Sequence, residues 1–196
     1  MKRAVSRRRG ARLVAGAALS AIALIQGLRA PVVDSHDVHI AGLPAALDGT
    51  VVLGLSDLHL GSLLGTSWLA ARVRQAQAER PDVFVFIGDV VEAHEAPGSD
   101  LLAELRRLSA PLGVWSVPGS LEFHAVSKDI ATFFEAAGIH LLRNAWVELR
   151  PGLVLAGVDD AAASESNGVA LAHLEAALAR RPPGAVLLPY WLATRC

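Results

Sequence analysis

Short apolar runs alternate with amphipathic stretches along most of the chain, and this rhythm predicts repeated strand–helix–strand units. Apolar runs of strand length occupy 51–55, 83–87, 114–117, 139–142, 146–149, 153–156 and 185–188. Apolar residues at helical spacing predict helices over 68–79, 99–108, 126–137 and 169–180, with Thr66 or Ser67 and Ser99 as N-caps and Gly138 as the end of the third helix. The run 83–87 is apolar on both faces, which is typical of a parallel strand between two layers. The pattern therefore predicts an α/β fold, with one further strand over 31–43.

Polar residues with metal-binding side chains follow the central strands. Asp57 and His59 come directly after the run 51–55, and Asp89 follows the next run. Residues two apart in an extended chain point the same way, so Asp57 and His59 should aim a carboxylate and an imidazole at one spot. This arrangement indicates a divalent metal site. Strand-end turn residues are the alternative for the first two, and a turn or N-cap aspartate is the alternative for Asp89.

The N-terminus has the charge pattern of a targeting segment. Residues 1–12 are basic, and Leu13–Leu28 is apolar apart from Ser20 and Gln26. A basic region before an apolar one predicts a signal anchor, or alternatively a cleaved export signal or a soluble helix. The apolar stretch is shorter than the ~20 residues of a full span, and no small-x-small cleavage site follows it. We therefore expect a single-pass anchor with a cytoplasmic N-terminus and an extracytoplasmic domain, and an exported soluble form as the alternative.

Charge is divided unevenly along the 196-residue chain. The first 30 residues contain seven basic and no acidic residues, whereas the remainder contains 11 basic and 19 acidic residues, a net charge of −8. The acidity of residues 31–196 argues against nucleic-acid binding, which needs clustered Lys and Arg. It is compatible with binding a cation. The single cysteine, Cys196, excludes an intrachain disulfide and a thiolate zinc cluster.

Three short motifs follow one another along the chain, namely Asp57-Leu58-His59, Gly88-Asp89-Val90-Val91-Glu92 and Gly119-Ser120-Leu121-Glu122. In this order and spacing they resemble the motifs of the calcineurin-like metallophosphoesterase family, especially its bacterial membrane-anchored or exported branch. The resemblance runs from about 38 to 188. It implies a metallophosphoesterase-type α/β/β/α sandwich, here incomplete at the C-terminal side and preceded by an N-terminal membrane helix. The implied organisation is an anchor over 1–30, the phosphoesterase domain over 31–188 and an atypical tail over 189–196.

The resemblance also implies a site and a chemistry. Family members hold two divalent ions, of the Mn, Fe or Zn type, and hydrolyse phosphomonoesters, phosphodiesters or pyrophosphates. By resemblance, Asp57 and His59 would hold the first metal and Asp89 would bridge both. Glu92 stands where the family often has a second aspartate, and either supports the ligands or is a plain surface glutamate. A phosphorylated small molecule or lipid is the implied partner, together with the membrane.

The third motif departs from the family pattern. Ser120 and Leu121 stand where the family has an asparagine ligand and a histidine near the leaving group. A serine hydroxyl is a weaker ligand, and Leu121 cannot donate a proton, so no catalytic histidine is intact. The later Ser-His and Gly-His-x-His motifs have no counterpart, which suggests a truncated chain. We therefore expect at most one weakly held metal and impaired activity. The alternative is a non-catalytic, membrane-anchored remnant or binding module that retains the fold.

Overall fold

The computed structural model describes residues 29–61, 64–91, 97–119, 128–158, 175 and 177–190. The chain divides into two units between His39 and Ile40. The strand predicted over 31–43 is wrong, because residues 31–40 have no regular structure and their side chains are exposed. Val32 is 91% exposed and Val38 74%. An alternating pattern stabilises a strand only where a neighbouring strand pairs with it and one face is covered, and the described residues supply neither.

The larger unit contains a four-stranded parallel sheet, sheet 1, with the order β1-β2-β3-β4. Its strands are β1 (Val52–Leu55), β2 (Val83–Ile87), β3 (Val114–Val117) and β4 (His140–Leu141). Three helices connect them in chain order, namely α1 (Thr66–Ala78), α2 (Ser99–Leu105) and α3 (Lys128–Ala136). The predicted strand–helix–strand rhythm is therefore confirmed in this half of the chain.

A second, three-stranded sheet, sheet 2, follows in the sequence. It consists of β5 (Ala145–Arg150), β6 (Leu153–Gly157) and β7 (Val186–Tyr190). Strands β5 and β6 are antiparallel across the predicted Pro151-Gly152 turn, where Gly152 has φ +82°, and β6 pairs with β7 in parallel. The sheet is mixed because a two-residue turn can only reverse the chain, whereas β7 arrives after a long connection.

Strand β2 separates two apolar cores, as its two-sided apolar sequence predicts. Phe84 and Phe86 face the helices and pack in one cluster with the buried residues Leu69, Val73, Leu101, Leu105, Phe133 and Phe134. Val83 and Val85 face the other way and pack in a second cluster with Leu155 of β6. Successive strand residues point to opposite faces, so one strand contributes to both layers. The described residues thus form a helix layer, sheet 1 and sheet 2 in succession, an α/β sandwich.

The predicted N-caps are wrong, by one position for Thr66 and Ser99 and by two for the alternative Ser67. Gly65 and Gly98 occupy the N-cap positions of α1 and α2, and neither helix has a side-chain cap hydrogen bond. The Thr66 hydroxyl instead donates to Asp100 Oδ2, which joins the first turns of the two helices. The predicted end of α3 is confirmed, since Gly138 has φ +73° and donates its N–H to the Glu135 carbonyl.

Several predicted segments lie outside the described residues. These are the basic and apolar N-terminus up to residue 28, most of the helix predicted over 169–180, and residues 191–196 of the tail. In the part of the chain that the structure describes, no helix has both the length and the apolar character needed to cross a membrane.

Candidate metal centre

The side chains of Asp57, His59 and Asp89 meet at the carboxyl edge of sheet 1. Asp57 and His59 follow β1, and Asp89 follows the adjacent parallel strand β2. One potential ligand atom from each residue lies within 4.8 Å of the other two. The Asp57 Oδ1 and His59 Nε2 atoms are 3.9 Å apart. Parallel strands end at the same edge of a sheet, so the topology alone brings these residues together.

A backbone ladder fixes the two strand-end loops to each other. The Asp57 N–H donates to the Gly88 carbonyl at 3.4 Å, and the His59 N–H donates to the Asp89 carbonyl at 3.0 Å. The Leu60 N–H then donates to the Val90 carbonyl at 2.8 Å. These bonds continue the β1–β2 pairing beyond the regular strands. The three candidate ligands consequently belong to one hydrogen-bonded unit.

Burial differs among the three candidate ligands. Asp89 is buried, with 8% of its surface exposed, whereas the side chains of Asp57 and His59 are 63% and 37% exposed. The intervening Leu58 and Leu60 point into the helix-facing core. Because polar and buried residues alternate in this loop, the two leucines fix it to the helix-facing core. The arrangement leaves the outer side of the cluster open to solvent.

All three candidate ligands have a left-handed backbone. Their φ values are +54° for Asp57, +45° for His59 and +52° for Asp89, and they make up three of the six described non-glycine residues with positive φ. This conformation costs roughly 1–2 kcal/mol for a residue with a Cβ, although aspartate tolerates it better than most. Such costs concentrate at sites where side-chain direction matters. The clustering is therefore an independent indication of a functional site.

The donor set fits a hard or borderline divalent cation. Two carboxylates and one imidazole suit Mn, Fe or Zn. At a metal–ligand bond length of ~2.1 Å, two ligand atoms lie ~3.0 Å apart when at right angles and ~4.2 Å apart when opposite. The 3.9 Å between Asp57 Oδ1 and His59 Nε2 falls within that interval. These two atoms therefore have a spacing that suits a single ion, and Asp89, within the 4.8 Å limit of the cluster, could join them after a small adjustment. The role of the three residues as ligands remains a prediction.

The other predicted site residues lie outside the described part of the chain. Glu92 follows the last described residue of the β2 loop, and Ser120 and Leu121 follow Gly119, the last described residue after β3. Gly119 itself is buried. The structure therefore assigns no position to Ser120, Leu121 or Glu122 of the third motif.

Comparison with known proteins gives curated relatives but no matching family model. The chain is 30% identical over 128 residues to an "Uncharacterized metallophosphoesterase" of Aquifex aeolicus, which covers 65% of this chain and 49% of that protein. It is 27% identical over 160 residues to a "Transmembrane protein with metallophosphoesterase domain" of Bos taurus, covering 72% of this chain and 34% of that protein. The chain thus spans about half and about one third of the lengths of these relatives.

A solved structure also shows partial similarity. It is the crystal structure of the Pseudomonas putida nuclease MPE, which matches with a TM-score of 0.37 and 20% sequence identity over 50% of each chain. These values are too low to extend that protein's activity to this chain.

Proposed function

Because this chain belongs to the calcineurin-like metallophosphoesterase family, we propose that it is a metal-dependent phosphoesterase that acts on phosphomonoesters or phosphodiesters. The observation that carries the proposal is the convergence of Asp57, His59 and Asp89, whose ligand atoms lie within 4.8 Å of one another. Two carboxylates and an imidazole at the open edge of a parallel sheet match the donor types that the family's chemistry needs.

Each residue has a distinct part in this proposal. A bound divalent ion supplies positive charge that polarises the phosphoryl group. Asp89, buried between the core and the site, would hold such an ion from the core side, and the more exposed Asp57 and His59 would hold it from the solvent side. Their exposure leaves room for a phosphate ester to approach from solvent. The buried side chains of Leu58 and Leu60 exclude water from the core side of the site.

We further propose that activity is weak. Leu121 cannot act as a proton donor, and losing a general acid typically lowers a rate by about 10²–10⁴-fold. Ser120 is at best a weak ligand, so the site would hold at most one ion, loosely. The same two residues favour a second candidate function, a membrane-anchored module that binds a metal or a phosphate group without hydrolysis.

Location and partners are part of the same proposal. The basic and apolar N-terminal sequence supports a single-pass anchor that places the domain outside the cytoplasm, and the name of the Bos taurus relative is compatible with an association with membranes. We propose a phosphorylated small molecule or lipid as substrate. The net charge of −8 in the body disfavours nucleic acid.

Hydrolysis of bis-p-nitrophenyl phosphate by the full 196-residue chain in detergent tests the enzyme proposal. We expect slow, Mn-dependent release of nitrophenolate that a chelator abolishes and that Asp89→Asn lowers to background. Asp48→Asn is the matched control, because Asp48 is an exposed aspartate that accepts a hydrogen bond from the Gly49 N–H away from the site. This control should retain the wild-type rate.

The outcomes separate the two candidate functions. A Mn-dependent rate that Asp89→Asn leaves unchanged would contradict the proposed site. Absence of any hydrolysis, together with Mn binding that is lost in Asp89→Asn, would favour the non-catalytic module. Absence of both would contradict a role for this metal in either function.

A further inference from the structure

Gly88 lies where the two halves of the candidate site meet. Its carbonyl accepts the hydrogen bond from the Asp57 N–H, and the next residue is Asp89, whose own carbonyl accepts from the His59 N–H. Gly88 is buried and has φ +72°, and Asp89 continues in the left-handed region with φ +52°. Two consecutive left-handed residues thus join the end of β2 to the buried carboxylate.

We propose that Gly88 is the positioning residue of this site. Its left-handed backbone directs the Asp89 carboxylate towards Asp57 and His59, and its carbonyl holds the loop that carries those two residues. Gly88 would contact neither metal nor substrate itself, and it acts by holding Asp57 and Asp89 in position. The inference rests on the proposed function for its metal-binding part, whereas its geometric part concerns the protein alone.

The physical reason for glycine is its freedom at positive φ. An L residue with a Cβ is disfavoured at φ near +72°, and the chain relieves that cost by rotating towards negative φ. Such a rotation would swing the Gly88 carbonyl away from the Asp57 N–H and would turn Asp89 away from the cluster. Such a displacement would loosen a metal site, since loss of the groups that orient metal ligands weakens metal affinity by about 10–100-fold.

The chain offers a closely matched control for the backbone cost. Gly138, after α3, has φ +73°, and a Cβ added there would meet no heavy atom within 4 Å. Gly138→Ala therefore introduces nearly the same backbone cost as Gly88→Ala but far along the sequence from the site. A loss of stability caused by φ alone should appear in both variants, although Gly88 is buried and Gly138 exposed, whereas a loss of metal binding should appear only in Gly88→Ala.

The experiment measures two quantities in the full chain. In the first, Mn(II) affinity is obtained by titration, and we expect Gly88→Ala to bind about 10–100-fold more weakly than wild type while Gly138→Ala binds equally well. In the second, amide hydrogen exchange is measured without metal. We expect the Asp57, His59 and Leu60 amides to exchange faster in Gly88→Ala and unchanged in Gly138→Ala.

Gly88→Asn guards against failure of the alanine variant to fold. Asparagine tolerates the left-handed region better than alanine does, so we expect Gly88→Asn to retain more metal affinity and more amide protection despite its larger side chain. If Gly88→Ala instead retained more metal affinity and amide protection than Gly88→Asn, the size of the side chain rather than the φ angle would determine the effect. That result would overturn the inference. Wild-type Mn(II) affinity in Gly88→Ala, or unchanged exchange at the three amides, would also overturn it. Wild-type protein that binds no Mn(II) would instead contradict the proposed function, and the exchange experiment would still decide the geometric part.

Discussion

At the scale of single residues, the candidate ligands have an unfavourable left-handed backbone that their hydrogen bonds and apolar neighbours stabilise. These ligands are Asp57, His59 and Asp89. Three left-handed residues cost together on the order of 3–6 kcal/mol, and the three hydrogen bonds of the ladder contribute about 1 kcal/mol each. The hydrogen bonds therefore offset about half or more of the backbone cost. Burial of the fully enclosed Leu60 and Val90, at about 1.5–3 kcal/mol for each large apolar side chain, therefore decides that the loops keep this conformation.

The hydrogen bond between Thr66 and Asp100 makes a prediction about pH. The Thr66 hydroxyl and the Leu101 backbone N–H lower the pKa of the Asp100 carboxyl below its ordinary value. We expect Thr66→Val to raise that pKa towards the ordinary value, as measured by NMR titration of the Asp100 carboxyl carbon. Ser67→Ala, which removes a neighbouring exposed hydroxyl, should leave it unchanged.

The sign of the linked stability follows from the direction of this shift. A lowered pKa in the folded state means that ionised Asp100 stabilises the fold above about pH 4, and that this contribution disappears as pH falls through the folded-state pKa. The contribution should be small, since the carboxyl is solvent-exposed. An Asp100 pKa that does not rise in Thr66→Val would show that the hydroxyl is not its partner.

At the scale of elements, the close approach of the two sheets near Gly157 sets how β3 and β6 pack. A Cβ on Gly157, the last residue of β6, would lie 2.7 Å from the Leu142 carbonyl oxygen and 3.0 Å from Val117 Cγ2. Contacts below 3.0 Å to backbone cannot be relieved by a side-chain rotation. Val117 is the last residue of β3 and pairs with Ile87, one residue before Gly88. The two sheets therefore approach each other closely at a point near the candidate site.

Substitution of Gly157 should consequently destabilise the fold. We expect Gly157→Ala to lower the free energy of unfolding by about 1–3 kcal/mol, the usual cost of overpacking, and to lower the midpoint of thermal unfolding by about 2–4 °C per kcal/mol. Gly54→Ala in β1 is the control, because its Cβ would meet only the flexible Ile87 Cδ1 at 3.1 Å. Equal midpoints for the two variants in a thermal melt would contradict the close packing.

The strand positions could be predicted from the sequence because burial and the alternation of apolar and polar residues determine them. The runs behind β1 to β3, and the convergence of Asp57, His59 and Asp89, follow from apolar runs that end in polar residues. The left-handed φ of those residues could not be predicted, since side-chain type only weakly restricts φ for Asp and His. The glycine directly before Asp89 was the one feature of the sequence that could have indicated an unusual backbone there.

Two predictions from local pattern were wrong for a shared physical reason. Pro31–Leu43 alternates as a strand should, but no described strand pairs with it. Thr66 has the side chain of an N-cap, but its hydroxyl bonds to Asp100 on another helix. In both cases a partner distant in sequence decides the outcome, and a single sequence does not identify that partner.

At the scale of the whole larger unit, the two ends of the sandwich differ. At the end where β1 begins, the Arg150 guanidinium donates to the Thr50 hydroxyl and joins sheet 2 to the segment that leads into sheet 1. At the opposite end, where β1 and β2 finish, the side chains of Asp57 and His59 are exposed to solvent beside the buried Asp89. One end thus holds the sheets together, and the other presents the polar groups. This division is compatible with chemistry at the carboxyl edge of sheet 1.

Pulsed electron paramagnetic resonance of the full chain loaded with Mn(II) is the sharpest test of the proposed metal centre, because it detects nitrogen nuclei bound to the metal. We expect one bound Mn(II) with coupling to an imidazole nitrogen. That coupling should vanish in His59→Asn, a substitution that also tolerates the left-handed backbone, and should persist in His140→Asn, which alters an exposed histidine at β4. Nitrogen coupling that survives in His59→Asn, or Mn(II) that shows no nitrogen coupling in the wild type, would contradict a metal centre formed by Asp57, His59 and Asp89.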